Sequence, residues 1–113
     1  MITRKSERTT ETRANMRGGA GAALLTPASK QLPANARLFS EIRLAPGASI
    51  GYHVHENETE MFLFLEGEGR VMDDDTEVIV HPGDSMATFS GHGHSVESIG
   101  DTDLVLVAVI IKD

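Results

Sequence analysis

The chain contains no cysteine. Disulfides, Cys-ligated zinc and iron–sulfur clusters are excluded, so any bound metal must use His, carboxylate or water. Tryptophan is absent too, and there is one tyrosine. The aromatic platforms on which single-stranded nucleic acids stack are therefore poorly supplied. Long apolar runs are missing: the longest, Leu104 to Ile111, is far too short to span a bilayer. No apolar stretch follows Met1-Ile2-Thr3-Arg4-Lys5, so a secretory signal is not expected. Together these absences lead us to expect a soluble, cytoplasmic protein without a membrane partner.

Positive charge is scarce. Ten Lys/Arg face seventeen Asp/Glu, a net charge of −7, which argues against nucleic-acid binding by bulk electrostatics. The imbalance is local. Residues 1–46 carry a net +5 and residues 47–113 a net −12. Two arrangements fit this asymmetry: a solvated basic arm, or an arm laid against an acidic barrel, its own or a neighbour's. A chain of 113 residues makes one domain with a modest core, and an oligomer that hides more surface is expected.

Two textures follow one another. Residues 1–36 are polar, basic and irregular, and we assign them to an N-terminal arm. Its centre, Met16-Arg17-Gly18-Gly19-Ala20-Gly21, reads as a flexible or tightly turned loop. Leu24, Leu25 and Leu32 are its candidate anchors. From Arg37 to Asp113 the pattern is β. Leu38, Ser40, Ile42 and Leu44 alternate with Phe39, Glu41 and Arg43, and Pro46-Gly47 turns the chain. Further strands are expected over 50–55, 60–66, 70–72, 76–80, 85–89, 94–99 and 104–111. Gly67-Glu68-Gly69, Asp73-Asp74-Asp75, Pro82-Gly83, Gly91-His92-Gly93 and Gly100-Asp101-Thr102-Asp103 punctuate them. Short strands with turn signals at this spacing indicate an all-β sandwich or barrel.

One segment carries chemistry. His53 and His55 are two apart, so on a strand both point to one face. Glu60 follows after a short loop, at the head of a row formed with Phe62 and Phe64. An ionised carboxylate there needs a metal or an Arg as partner. Met61, Leu63 and Leu65 share the opposite face, which suggests a sheet covered on both sides. His94 shares an inward face with Val96 and Ser98. Three imidazoles and a carboxylate, His53, His55, His94 and Glu60, thus form a candidate divalent-metal site. His81 lies in a turn and reads as a surface residue. His92 could serve as an entrance residue or proton shuttle. Tyr52 should face away from His53. Phe62, Phe64, Phe89, Met72 and Met86 could shape an apolar pocket, although a plain core role suits them better. Arg17 could reach a barrel mouth and bind a substrate carboxylate.

The spacings Gly47, His53, His55, Glu60, Gly67 and Gly83, Phe89, Gly91, His94, Ser98 resemble the two cupin motifs, with Phe89 in place of a Pro and Ser98 in place of an Asn. The resemblance covers residues 37–113 and implies a double-stranded β-helix, the jelly-roll barrel. The segment before the barrel and the run from Leu44 to Glu60 resemble small bacterial single-domain cupins. By this resemblance the site would hold one divalent transition metal (Mn, Fe, Co, Ni or Zn), with His53, His55, Glu60 and His94 as ligands. It would support dioxygenase, isomerase or lyase chemistry on a small oxygenated compound. A non-catalytic sensor or storage module that binds a metal or small ligand is the alternative. A metal-free interaction barrel is disfavoured by the intact ligand set. A homodimer is expected, its basic arm crossing to the partner's acidic barrel.

Overall fold

A computed structural model describes all residues, 1–113. Ten strands form two antiparallel sheets. They are β1 (Glu11–Ala14), β2 (Ala22–Pro27), β3 (Ala36–Leu44), β4 (Ser49–Val54), β5 (Glu58–Glu66), β6 (Gly69–Asp73), β7 (Thr76–Val80), β8 (Ser85–Thr88), β9 (Gly93–Ser98) and β10 (Leu104–Lys112). The larger sheet runs β1-β2-β3-β10-β5-β8 and the smaller β4-β9-β6-β7. This is the jelly-roll architecture expected for the chain. No helix is long and apolar enough to cross a membrane.

Period-two alternation builds the core. Ile42 and Leu44 of β3, Phe62 and Phe64 of β5, Leu106 and Ala108 of β10, and Val96 of β9 all point between the sheets and are buried. Cross-strand register aligns these layers: Ile42 faces Leu106, and Leu106 faces Phe64. A row such as this removes several large side chains from water, each worth about 1.5–3 kcal/mol. The opposite faces of the same strands differ from expectation. Met61, Leu63 and Leu65 are 43, 45 and 45% exposed rather than covered.

The N-terminal segment is more ordered than its sequence suggests. Strand β2 pairs with β3 along five residues, from Ala23 opposite Leu44 to Pro27 opposite Ser40. Ala23 and Leu25 are its buried anchors. Leu24 alternates to the other face, and Leu32, in the irregular link to β3, is 39% exposed. Two of the three expected anchors therefore fail, because strand alternation selects Ala23 in place of Leu24. No ion pair joins residues 1–36 to residues 47–113. The pairs made by the first segment, Lys30 with Glu7 and Arg13 with Glu11, are internal to it. Backbone pairing and buried Ala23 and Leu25, not charge, hold this segment to its own sheet.

Candidate metal centre

Strand pairing brings the four candidate ligands together. His53 on β4 lies directly opposite His94 on β9 in the smaller sheet. His55 follows the end of β4. Glu60 comes from β5 in the larger sheet, so the cluster bridges the two sheets. One ligand atom from each residue lies within 4.8 Å of all the others. His55, Glu60 and His94 are buried, and His53 is half-buried at the open side.

The outer ring nitrogens are fixed by partners. His53 Nδ1–H donates to the Gly51 carbonyl at 2.8 Å. His55 Nδ1–H donates to Glu58 Oε1 at 3.0 Å. Thr88 Oγ1 meets His94 Nδ1 at 2.7 Å, and Thr88 itself sits opposite Glu60 across the β5–β8 ladder. With an Nδ1 proton of His53 and of His55 held outward, their Nε2 atoms face inward. There the Nε2 atoms of His55 and His94 approach to 3.1 Å, and those of His94 and His53 to 3.3 Å. Glu60 Oε1 stands 2.9 Å from the Nε2 atoms of both His55 and His94. A single shared proton would satisfy one pair of these atoms. A divalent cation satisfies all four, so the donor set fits a metal ion. Burial, the largest influence, holds the His53 imidazole below its usual pKa. The charges of His94, Arg17 and His55 act the same way, opposed by the Gly51 carbonyl. The neutral, ligating form is thereby favoured.

The cupin domain family matches residues 40–110, well over half of the chain and spanning all four donors. The chain is a cupin. It is similar to a Thermotoga maritima protein named oxalate-binding protein, with 45% identity over 98% of this chain and 93% of the relative. A crystal structure of a predicted oxalate decarboxylase from Thermotoga maritima superposes with a TM-score of 0.93, at 42% identity over the whole of both chains. The structure of KdgF from a Halomonas species, at 12% identity and a TM-score of 0.79 over 100% of this chain and 96% of that one, shares the fold.

The cupin's His–Glu cluster opens into a cavity of ≈ 250 Å³. That is below the range of about 300–1,000 Å³ for drug-sized ligands, so it suits a small molecule. Its walls combine the apolar Phe62, Leu38, Ile50 and Ile110 with Arg13, Arg17 and Arg37. Phe62 stacks on the His94 ring at 5.0 Å and 15°. Of the five residues suggested for pocket shaping, Phe62 alone lines this cavity. Phe64 is core, Phe89 is 61% exposed, and Met72 and Met86 lie elsewhere. Tyr52 faces away, as alternation requires, and covers Gly93. Arg17 does reach the cavity.

His92 does not face the site. Its ring pairs with Asp74 at 2.6 Å, at the tip of the β6–β7 hairpin. Gly93 N–H donates to the same carboxylate and, with His92, keeps Asp74 below its usual pKa. His92 contributes through its backbone instead. Its carbonyl accepts the His55 N–H at 3.0 Å, and Gly91 N–H donates to the His55 carbonyl at 2.7 Å. The short loop before β9 thus clamps His55. At the other departure from the cupin motifs, Ser98 Oγ is buried without a hydrogen-bond partner.

Three residues beside the cluster and its cavity, Glu58, Arg37 and Arg13, escape the sequence reading. Glu58 links His55 to Arg37, whose guanidinium grips it through two bonds of 2.8 and 2.7 Å. The Arg37 bonds, opposed by partial burial and joined by His55, hold Glu58 down to about 2. Strand parity carried a signal for Glu58, which shares the face of Glu60 two residues on. Arg37 and Arg13 arrive by long-range pairing, for which local pattern carries no signal.

Proposed function

We propose that this cupin binds one divalent transition metal (Mn, Fe, Co, Ni or Zn) through His53, His55, Glu60 and His94. On that centre it takes a small oxygen-rich anion of the oxalate class. The convergence of three imidazole nitrogens and one carboxylate, each offering an atom within 4.8 Å of the others, carries the reading. Three neutral imidazoles and one carboxylate leave a divalent ion with a net charge of about +1, which favours an anionic ligand. The arginine-rich wall and the small cavity support the same choice, as does the oxalate-binding name of the Thermotoga maritima relative. A bound metal would supply Lewis-acid or O₂ chemistry. The protein's own residues bind and orient the ligand: Phe62 and Ile110 exclude water beside the cluster, and Glu58 fixes the His55 ring.

A dioxygenase, isomerase or lyase reaction fits this site, and so does binding without turnover. One observation favours the second: Glu60 is the only acidic residue lining the cavity, so no second carboxyl is placed to move a proton. We also propose a cytoplasmic homodimer. An exposed apolar band on the outer face of the larger sheet supports the dimer. The division into an arm, 1–36, and a barrel, 37–113, and exchange of that arm between partners, belong to the same proposal.

Elemental analysis of untagged protein should find about one metal ion per chain. The double variant His53→Ala/His55→Ala should lose it while keeping a folded far-UV spectrum, since the core is apolar. Full occupancy in that variant would refute the assignment. Calorimetry with oxalate on metal-loaded protein tests the ligand class.

A further inference from the structure

We infer that Arg17 is the specificity-determining residue that makes this site select anions over neutral chelators. The inference rests on the proposed binding of a small anion at the metal cluster.

Three arginines line the cavity, but two are already engaged. Arg13 pairs with Glu11 at 2.9 Å, and Arg37 is gripped by Glu58. Arg17 has no carboxylate within ion-pair distance; it is the one cavity-lining guanidinium free to meet a ligand.

Its backbone is built for placement. Arg17 stands in the left-handed region at φ 54 and ψ 30, inside a tight turn over Met16–Gly18. Asn or Gly tolerates that conformation, but Arg rarely adopts it, and such strain persists only where surrounding structure imposes it. Here the imposition is visible. The turn lies flat on β4, and a Cβ on Gly51 would overlap the Arg17 carbonyl oxygen. A Cβ on Gly19 would overlap the Ser49 carbonyl in the same way. Ala20 and Ser49 exchange hydrogen bonds on both sides, N–H to Oγ and N–H to carbonyl, each 2.9 Å. Asn15 Nδ2 closes the turn on the Gly19 carbonyl at 3.1 Å. Gly51 is also the residue whose carbonyl holds His53. One strand segment therefore positions both a ligand imidazole and the free guanidinium.

Charge assigns the role. The loaded cluster carries about +1, and a dicarboxylate brings −2. Arg17, exposed at the cavity wall, restores neutrality there, and its planar fork matches a carboxylate edge. A neutral chelator gains nothing from it.

Metal-loaded parent, Arg17→Gln and Arg17→Lys proteins would be titrated with oxalate, malonate, glycolate and neutral glycolamide, the amide counterpart of glycolate, with metal content measured in each. Arg17→Gln should weaken oxalate binding by about 10–100-fold, as expected for a charge-assisted pair. It should also flatten the salt dependence of binding, leave glycolamide within about twofold, and leave metal content unchanged. Arg17→Lys should recover part of the loss. Equal oxalate affinity in the parent and Arg17→Gln would overturn the role of Arg17 and leave the function intact. A loss shared equally by the neutral chelator would show a structural role instead. If the parent bound none of the three anions, the anion-binding function would fall, and the role of Arg17 with it.

Discussion

Glu58 shows how one residue couples fold to site. Its carboxylate accepts from Arg37 on β3 and from His55 beyond β4, so it ties the larger sheet to the His–Glu cluster. Its folded pKa is about 2, below the usual 4.5, with the Arg37 bonds as the main cause. A depressed carboxyl stabilises the fold above its unfolded pKa. That contribution is lost as pH falls through the window between about 4.5 and 2. Arg37 is half-exposed, so solvent screens the pair and the contribution is about 1–2 kcal/mol rather than the full value of the shift. Glu58→Gln should therefore lower stability by about this amount near pH 7 and by almost nothing near pH 2. Urea unfolding across this pH range measures the difference. A deficit independent of pH would assign the loss to packing and not to charge.

Among the elements, strands β3 to β10 were legible, and β1 and β2 were not. The later strands alternate apolar with polar residues and end at Gly, Pro or Asp turns. The ligand parity and the inward row of His94, Val96 and Ser98 follow from that alternation. Strand β2, Ala-Ala-Leu-Leu-Thr-Pro, has no alternation to read, because both faces carry Ala and Leu. Strand β1 is a fully exposed edge whose residues are polar on both sides. Such strands exist through pairing with β3, a long-range fact that local periodicity does not encode. The link from Asn15 to Gly21 was readable as a tight turn, but its seat on β4 was not. Gly51 is the test of that seat. Gly51→Ala should force the turn off β4 and cost about 1–3 kcal/mol, the range for overpacking. The same substitution at Gly47, where a Cβ meets open space, leaves the turn in place; its cost is confined to the local positive φ of 86. Thermal melts of the two variants, with oxalate affinity as a second readout, separate them. Gly51→Ala should lose both stability and affinity, whereas Gly47→Ala should keep affinity. Parent-like affinity in Gly51→Ala would show that the turn does not need this contact.

At the scale of the whole molecule, an apolar surface lies outside the core. On the outer face of the larger sheet, Phe39, Val109 and Met61 form one apolar cross-strand row, and Val107 and Leu63 continue it in the next, which Glu41 ends on β3. Phe39, Met61 and Leu63 are 40, 43 and 45% exposed, and the two valines are half-buried. These rows occupy the middle strands β3, β10 and β5, not an edge, and a contiguous apolar patch there is unusual for a monomer. A second copy packed about a two-fold axis would bury the same rows on both sides, giving a self-complementary contact. Arm exchange is the other route to a dimer. It has less support in the chain's own contacts, since β2 already pairs along its length with the same chain's β3. The two routes separate cleanly. Leu63→Glu puts a charge at the centre of the face-to-face contact and should weaken the dimer by at least about thirtyfold, as for an interface hot spot. Metal content should not change, because Leu63 points away from the cluster. Removing residues 1–25 abolishes exchange of β1 and most of β2 but leaves Phe39, Met61 and Leu63 in place. Sedimentation of both proteins decides the matter. Dissociation of Leu63→Glu alone supports the face-to-face dimer. Dissociation of the truncated chain, with Leu63→Glu unaffected, would establish the exchanged arm and leave the apolar face without this role.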